Sequence, residues 1–484
     1  MLAVAVAVAA AAGAPAAAPA TVPPIRDWRP APGTFRLRED ARVVVLPEGT
    51  RELRIEGRVL ARDLGISVGA PGARARPGDV AVRLTSPDRA LGREGYRLRV
   101  GRVLSVAAPT TAGVFYGGRT AVALLRARRS LARGTARDRP LYRERGLMVD
   151  VGRRFFRPAW LERRIRALAA LKLNVLHLHL SDNEGFRIES SSHPEAVTRP
   201  ALRKADVRHL LGVARRHHVT IVPEIDMPGH LRAALRRHPE LQLVDAFGRR
   251  QPDKLDVTLP AARRFAADLL DEYLRLFDGR VWHGGADEYL GALSTDADYD
   301  RYPRLASFAR RRHGPRANGK DAVLDFVAFV HRRVRAAGKE LRVWSDGIDG
   351  GGVLRLDPRV SVQWWEERES PTPAVLVRRG HRVVNSGWWP LYYVTGGPLR
   401  GLRPDLEAFA REWRPWRFEG PFTARWGGAA GAPIFTLPRG DPRQLGATLA
   451  VWNDDPDAPG AREAAVAAGI APRLSILAAR TWGP

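Results

Sequence analysis

The 484-residue sequence contains no cysteine, which excludes disulfide bonds, thiolate nucleophiles and any metal site built on cysteine. Lysine is almost as scarce, because only five lysines stand beside 74 arginines. After the first 20 residues no segment approaches 18 uninterrupted apolar residues, so no membrane-spanning helix is predicted there. The net charge of +27 comes from arginines spread along the whole chain. Such a spread is typical of a solvated surface, and we predict no nucleic-acid partner.

An apolar segment begins the chain. Residues 2–12 are almost entirely alanine and valine, and a stretch of alanine and proline continues to Ala20. This pattern resembles the apolar region and the small-residue cleavage site of a secretory signal, and it is too short to span a bilayer. We therefore expect residues 1–20 to be a signal-peptide-like leader and the protein to be secreted or extracytoplasmic.

Residues 33–140 are predicted to form a small α/β domain. Short alternating runs separated by turns such as Pro71-Gly72 indicate strands, and two segments with helical periodicity indicate helices. The predicted strands are 41–46, 80–84, 96–100 and 103–106, and the predicted helices are 51–64 and 111–129. No candidate chemistry lies in this region.

Residues 141–484 show eight apolar, strand-like runs, most of them followed by a helical segment. The predicted strands are 146–150, 173–180, 219–226, 281–287, 341–346, 360–365, 382–386 and 448–452. The predicted helices are 158–171, 204–217, 261–277, 322–337, 373–379 and 461–477. This alternation predicts a (β/α)8 TIM barrel, with a doubly wound open sheet as the structural alternative.

Polar and aromatic residues recur where these strands end. Catalytic groups of a barrel project from the C-terminal strand ends, where the loops form the mouth. The residues at these positions are Asp150, Asp182, Asp226, Asp287, Glu288, Asp346, Trp365, Trp452 and Asp454. Any one carboxylate alone is explained as a loop-start residue or a helix cap, but together these residues predict an acidic cup with aromatic walls. The tryptophans at or near the strand ends, Trp344 among them, are either core residues or flat walls suited to sugar rings.

Two clusters contain histidine. His177 and His179 alternate with leucines and therefore share one face of a strand, either as metal ligands or as satisfied groups of the barrel interior. We favour the second interpretation and predict no metal or cofactor, because no further ligand stands at a familiar metal spacing. The stretch 222–230 brings together Glu224, Asp226 and His230, and a histidine beside carboxylates can tune a neighbouring acid.

The strongest catalytic signal is Trp-His-Gly-Gly-Ala-Asp-Glu-Tyr at 282–289. The adjacent carboxylates of Asp287 and Glu288 repel each other, so one of them should have a raised pKa, as a general acid requires. The usual pair of glycosidase carboxylates faces the sugar from opposite sides, which neighbours in sequence cannot easily do. The pattern therefore favours a substrate that supplies its own nucleophile.

Four motifs, in this order, resemble family-20 glycoside hydrolases, the β-N-acetylhexosaminidases. They lie at 145–156, 173–189, 222–230 and 283–288. The resemblance implies a barrel enzyme that removes terminal N-acetylhexosamine from oligosaccharides or glycoconjugates. In that family the acetamido oxygen of the substrate attacks the anomeric carbon, which gives an oxazolinium intermediate and net retention.

The resemblance also implies residue roles. Glu288 would be the acid and base, and Asp287 would orient the acetamido group. Asp182 and His230 would support Glu288, with Asp226 nearby, and Arg153 would hold sugar hydroxyls. Trp344, Trp365 and Trp452 would wall the acetamido pocket.

Two motifs depart from the family pattern. The Tyr-x-Asp motif is approximated by residues 390–395, where either Tyr392 or Tyr393 could bond the acetamido oxygen but the aspartate is missing. The Trp-x-Glu motif reads Trp452-Asn-Asp454, with a shorter acid. Together with Tyr289, these departures resemble the lacto-N-biosidase branch, which releases a disaccharide. That specificity and a non-catalytic carbohydrate-binding barrel remain the alternatives.

Overall fold

The computed structural model describes residues 18–46, 50–290, 296–396, 405–420 and 434–483. The predicted leader therefore lies, up to residue 17, outside the described residues. The chain divides into two compact units, one ending at Pro140 and the other comprising Leu141–Trp482. Among the described residues, no helix combines the length and apolar character needed to cross a membrane.

The N-terminal unit is a seven-stranded mixed sheet with two helices. Its elements are β1 Arg29–Arg36, β2 Arg42–Leu46, α1 Arg51–Leu64, β3 Ser67–Val68, β4 Val80–Leu84, β5 Tyr96–Val100, β6 Leu104–Ala108, α2 Thr111–Ala127 and β7 Ser130–Asp138. The strand order is β1-β7-β5-β6-β4-β2-β3. Both helices pack against the sheet and against each other. The side chain of Thr50 caps α1, and Gly65 ends it in the left-handed conformation.

Three strands of this sheet, β1, β7 and the two-residue β3, were not predicted from the sequence. β1 contains two prolines and a glycine, and β7 pairs with it in an antiparallel register. β1 lies at the edge of the sheet, where proline is tolerated because an outward-facing N–H is not needed. The pattern used to predict strands misses such a segment, since most of β1 is exposed and does not alternate in burial.

The second unit contains the remaining elements. They are β8 Glu144–Asp150, α3 Pro158–Ala170, β9 Val175–His179, α4 Lys204–Arg216, β10 Thr220–Glu224, α5 Arg232–Leu235, β11 Gln242–Val244, β12 Arg250–Leu255, α6 Pro260–Leu276, β13 Val281–His283, α7 Asp296–Asp300, α8 Pro303–His313, α9 Gly319–Ala336, β14 Glu340–Trp344, β15 Ser361–Trp364, α10 Pro373–Arg378, β16 Val383–Asn385, α11 Trp388–Leu391, β17 Tyr392–Val394, α12 Leu406–Glu412, β18 Arg417–Phe418, β19 Phe435–Thr436, β20 Gln444–Trp452 and α13 Glu463–Trp482.

Eight parallel strands of this unit close into a barrel. They follow the order β8-β9-β10-β13-β14-β15-β16-β20, and β20 pairs with both β16 and β8. These two pairings exclude the open-sheet alternative and confirm the predicted TIM barrel. β17 adds a short parallel pairing to the end of β20, which places Tyr392–Val394 beside Ala450–Trp452 at the mouth.

Local sequence explains where several barrel helices begin. Pro158, Pro260 and Pro373 occupy first-turn positions, where a missing N–H costs nothing. Asn318 opens α9 with a capping box to Asp321. Helix α8 was not predicted from the sequence, because it is rich in arginine and buries only Leu305 and Ala309.

Candidate active site

The predicted carboxylates gather at the C-terminal mouth of the barrel. Each carboxylate lies at the end of its strand or only a few residues beyond it, and the parallel strands all end on this face of the barrel. Asp150 ends β8, Asp182 follows β9, Asp226 follows β10, Asp287 and Glu288 follow β13, and Asp346 follows β14. All but Glu288 are buried, and Glu288 is partly exposed.

His230 joins the predicted acids into one cluster. Its Nδ1 lies 3.1 Å from Oδ1 of Asp182. Its Nε2 lies 3.5 Å from Oε2 of Glu288 and 3.8 Å from Oδ2 of Asp287. Both adjacent carboxylates therefore converge on a single imidazole nitrogen, an arrangement that the sequence alone could not specify.

The charges of neighbouring groups determine which residues of this cluster carry a proton. Burial lowers the pKa of His230, but the charge and hydrogen bond of Asp182 outweigh burial and hold that pKa well above its usual value. Burial raises the pKa of Glu288, but the hydrogen bond and positive charge of His230 bring the net pKa below its usual value. In the free protein the proton therefore resides on His230, next to Glu288.

The pKa of Asp287 shifts in the opposite direction from that of Glu288. Burial, and then the negative charge of Asp226, raise the pKa of Asp287 well above its usual value. Burial also raises the pKa of Asp226, to about 7, although His230 opposes the shift. Oδ1 of Asp287 is buried and lacks a hydrogen-bond partner among the described residues. A buried acceptor without a partner is costly unless a ligand supplies the donor.

The backbone that carries the two acids is strained. Ala286 and Glu288 have φ values of 74° and 46°, in the left-handed region that residues with a side chain rarely adopt. Gly285, with φ 66°, touches Asp226 so closely that an added Cβ would lie 1.7 Å from its Oδ1. Buried carboxylates hold this loop, because Asp226 accepts from the Ala286 N–H and Asp346 from the Glu288 N–H at 3.1 and 2.7 Å.

Arg153 lies on the other side of Asp182. Its Nη1 is 2.9 Å from Oδ2 of Asp182 and 3.2 Å from Oδ2 of Asp150, and its guanidinium stacks 5.2 Å from the ring of Trp452. Asp454 lies on the rim with an exposed side chain, within the electrostatic reach of Arg153. The structure thus brings together the predicted cationic and rim residues.

Aromatic rings line the mouth beside the acids. Trp344, Tyr392 and Trp452 pack together over Met148, and the partly exposed Trp365 and Trp388 pack against them. The indole N–H of Trp365 donates to Asp346 at 2.7 Å, which fixes one wall relative to the catalytic loop. Neither Asp346 nor Trp388 was assigned a site role from the sequence, where their only signal was their position at or near strand ends.

The two candidate tyrosines lie on opposite sides of β17. The ring of Tyr392 stacks on Trp388 at 5.0 Å and on Trp365 at 6.2 Å, inside the aromatic wall. Tyr393 instead lies against helix α13, where its hydroxyl approaches Gly469 and its ring lies under Arg473. Only Tyr392 therefore belongs to the pocket.

Glu224 lies beside Asp226, as predicted, since carboxylate oxygens of both residues and a nitrogen of His179 lie within 4.8 Å of one another. Its carboxylate lies inside the barrel, within 3.0 Å of nitrogens of His177, His179 and His283, and it accepts the Trp344 indole N–H at 2.7 Å. Burial raises the pKa of Glu224, but these histidines bring its net pKa well below the usual value. Glu224 and the three histidines form the histidine floor under Trp344.

The histidine floor is continuous with the catalytic cluster. His179 bridges Glu224 and Asp182 through Nδ1 and Nε2, at 2.7 and 2.9 Å. Burial lowers the pKa of His179, but the two carboxylates raise its net pKa well above the usual value. Alternating negative and positive groups therefore run from Glu224 through His179, Asp182 and His230 to Glu288. These contacts agree with the interpretation of the histidines as interior groups.

Family models match both units of the chain. Residues 142–484 match "Glycosyl hydrolase family 20, catalytic domain", and residues 18–139 match "Glycosyl hydrolase family 20, domain 2". Among curated proteins, the lacto-N-biosidase of Bifidobacterium bifidum is 31% identical over 369 residues, which cover 76% of this chain and 32% of that protein. A β-N-acetylhexosaminidase of Cellulomonas fimi is 30% identical over 358 residues, which cover 68% of this chain and 65% of that protein.

Solved structures share the fold. The β-N-acetylhexosaminidase of Bacteroides fragilis superimposes with a TM-score of 0.74 at 23% identity, over 96% of this chain and 90% of that one. The β-N-acetylhexosaminidase of Streptomyces coelicolor gives a TM-score of 0.72 at 24% identity, over 96% and 91% of the two chains. The chain spans about a third of the lacto-N-biosidase and just under two thirds of the C. fimi protein.

Proposed function

This chain belongs to glycosyl hydrolase family 20, and we propose that it is an exo-acting hydrolase that releases terminal β-linked N-acetylhexosamine with retention of configuration. The observation that carries the proposal is the convergence of Asp287 and Glu288 on Nε2 of His230. Its substrates would be oligosaccharides or glycoconjugates that end in this sugar.

The nucleophile in this proposal is the acetamido oxygen of the substrate. Ordinary retaining enzymes place two carboxylates about 5–5.5 Å apart across the scissile bond, and family 20 is an exception to that rule. Here the two acids are sequence neighbours that converge on one imidazole. This arrangement suits one acid to protonate the leaving group and the other to contact the acetamido group. The acetamido oxygen bonds to the anomeric carbon as the glycosidic bond breaks, and water later opens the oxazolinium ring.

Asp287 would orient the acetamido group. Its buried Oδ1 lacks a hydrogen-bond partner among the described residues and would accept the amide N–H of the sugar. As positive charge develops on the oxazolinium ring, an adjacent carboxylate becomes increasingly favourable, so Asp287 stabilises the transition state more than the ground state. Tyr392, inside the aromatic wall, would donate its hydroxyl to the acetamido oxygen.

Glu288 would protonate the leaving oxygen and then activate water. Its low pKa in the free protein reflects the proton held by His230, whose Nε2 lies 3.5 Å from Oε2 of Glu288. Bound sugar excludes water and disfavours a charged pair, so the proton moves onto Glu288, where a general acid needs it. Arg153 would bind hydroxyls of the terminal sugar.

Chromogenic glycosides test the proposal directly. We expect hydrolysis of an aryl N-acetyl-β-glucosaminide and no comparable hydrolysis of the matching β-glucoside, because only the first carries the internal nucleophile. Equal activity on both would rule out participation of the acetamido group. Binding of N-acetylglucosamine with no turnover of any acetamido glycoside would indicate a carbohydrate-binding barrel instead.

The Asp226→Asn variant is expected to remain active at lower pH than the wild type. The negative charge of Asp226 raises the pKa of Asp287, so its removal lowers that pKa and lets Asp287 ionise earlier. The acid limb of kcat/KM should move down by about one pH unit. The amide oxygen of asparagine can keep the contact with the Ala286 N–H.

Profiles of kcat/KM against pH measure this shift. Asp245→Asn is the matched control, because Asp245 is a buried carboxylate that caps a turn at Phe247 and Arg249 away from the acids. An acid limb that stays in place in Asp226→Asn, or moves to higher pH, would contradict the assigned coupling.

A disaccharide-releasing specificity is the second candidate function. The observation that favours it is Asp454, which stands on the rim where the family pattern has the longer glutamate. An acid one methylene shorter leaves room for a substituent on the outer hydroxyls of the terminal sugar. The relative at 31% identity is named lacto-N-biosidase, which is consistent with this alternative.

The Asp454→Glu variant is expected to change substrate preference more than rate. The longer side chain would occupy the rim, so the kcat/KM ratio for a lacto-N-bioside over an N-acetylglucosaminide should fall about tenfold. Asp457→Glu, an exposed change in the same loop, is the control. An unchanged ratio in Asp454→Glu would remove the argument for disaccharide release.

A further inference from the structure

A second cluster of ligating side chains lies where two loops of the barrel meet. His193 and Glu195 belong to the loop between β9 and α4, and His238 lies between α5 and β11. Nδ1 of His193 and Nε2 of His238 lie 3.0 and 2.9 Å from the same oxygen, Oε1 of Glu195. The three ligand atoms all lie within 4.8 Å of one another.

The outer nitrogen of each imidazole faces another carboxylate. Nε2 of His193 lies 3.5 Å from Oδ2 of Asp268, and Nδ1 of His238 lies 3.3 Å from Oε1 of Glu240. Metal-bound histidines commonly direct their second ring nitrogen to a carboxylate in this way, which fixes the tautomer and leaves the lone pair facing the metal. Nδ1 of His238 has such a hydrogen-bond contact with Glu240, whereas Nε2 of His193 lies near Asp268 without a hydrogen bond.

Packing holds the two rings in place. Phe265 on α6 contacts His193 and His238, with ring centroids 4.4 and 5.2 Å apart. The side chains of His193, His238 and Glu195 are 16%, 21% and 30% exposed, so an ion and a water molecule can reach them. The cluster is preorganised on one side and open on the other.

We propose that His193, Glu195 and His238 form a binding site for a divalent transition metal of the Zn²⁺ type. Two imidazole nitrogens and one carboxylate oxygen suit zinc, with water as a fourth ligand, and are poor ligands for Mg²⁺ or Ca²⁺. Ligand atoms of a tetrahedral zinc site lie about 3.3 Å apart. The two contacts between the histidine nitrogens and Oε1 of Glu195 therefore need to lengthen by only a few tenths of an ångström.

The site would tie together the two loops that hold the catalytic supports. Asp182 precedes His193 in the β9–α4 loop, and His230 precedes His238 after β10. A bound ion would therefore restrain both loops from outside the pocket. The role is structural, and no step of the proposed hydrolysis passes through the ion.

Metal content tests the proposal without reference to activity. The tag-free protein, stripped with a chelator, is dialysed against micromolar Zn²⁺ and its zinc is measured by elemental analysis. We expect the wild type to bind about one ion per chain. Both His238→Ala and Glu195→Gln should lose this ion. The His209→Ala control, which removes an exposed histidine paired with Glu162, should keep it.

Co²⁺ substitution and thermal unfolding supply the second measurement. Visible absorption of tetrahedral Co²⁺ should appear in the wild type and vanish in Glu195→Gln, which preserves the side-chain shape and guards against misfolding. Zn²⁺ should raise the wild-type Tm by several degrees and leave the Tm of both variants unchanged. Equal zinc content in the wild type and the two variants, or no stoichiometric binding by the wild type, would overturn the proposal.

Discussion

The Glu288→Gln variant is expected to lose about two to four orders of magnitude in kcat on substrates with poor leaving groups. Glutamine keeps the size of the side chain but cannot donate the proton that His230 and Glu288 hold between them. Aryl glycosides with acidic phenols need less proton donation, so their rates should fall much less. The divergence between the two substrate classes is the signature of a lost general acid.

Steady-state kinetics on a natural oligosaccharide and on an activated aryl glycoside measure this divergence. Glu407→Gln is the matched control, because Glu407 is an exposed residue of α12 whose surface ion pair with Arg411 contributes little to stability. More than about a tenth of the wild-type activity on both substrates would count against Glu288 as the acid.

The Asp287→Asn variant should be crippled in catalysis yet fold at least as well as the wild type. Loss of one preorganised charge at a developing cation costs about two to three orders of magnitude in kcat. Stability should respond in the opposite sense, since the pKa of Asp287 is raised in the folded protein. Above the pKa of the unfolded chain, ionising this buried acid disfavours the folded state, and asparagine removes that penalty.

Thermal unfolding at neutral pH and product analysis together check this prediction. The Tm of Asp287→Asn should equal or exceed that of the wild type, while turnover collapses. A marked fall in Tm would indicate a structural role instead. Inversion at the anomeric centre, or a glycosyl ester trapped on the protein, would overturn substrate-assisted catalysis for the wild type.

Strand periodicity allowed most of the barrel to be predicted. Runs such as 219–226 are apolar because a strand covered on both faces must be so, and β10 lies within that run. The same logic missed β1, whose prolines are acceptable only at an edge, and α8, whose arginines leave little apolar surface. Both elements form because of contacts with neighbouring parts of the fold, which the periodicity of the sequence does not reveal.

The catalytic loop was predictable from its chemistry, but its protonation was not. Adjacent acids at 287 and 288 imply unequal pKa values, whichever way they differ. His230 decides the direction, because it lies closer to Glu288 while Asp226 lies beside Asp287. Two charges remote in sequence thus assign the high pKa to Asp287 in the free protein.

Sequence by itself determined the strand-and-helix alternation, the succession of motifs and the chemical types at the strand ends, because these depend on local periodicity and residue identity. Tertiary structure decided in which direction the side chains at these positions point. Alternation places Tyr392 and Tyr393 on opposite faces, but only the packing of β17 on β20 shows that Tyr392 lies at the mouth. Glu224 ends β10, and its carboxylate is held inside the barrel by histidines of β9 and β13 and by the Trp344 indole N–H. Chain closure brings distant loops together, and side-chain direction within them follows from packing that no local pattern encodes.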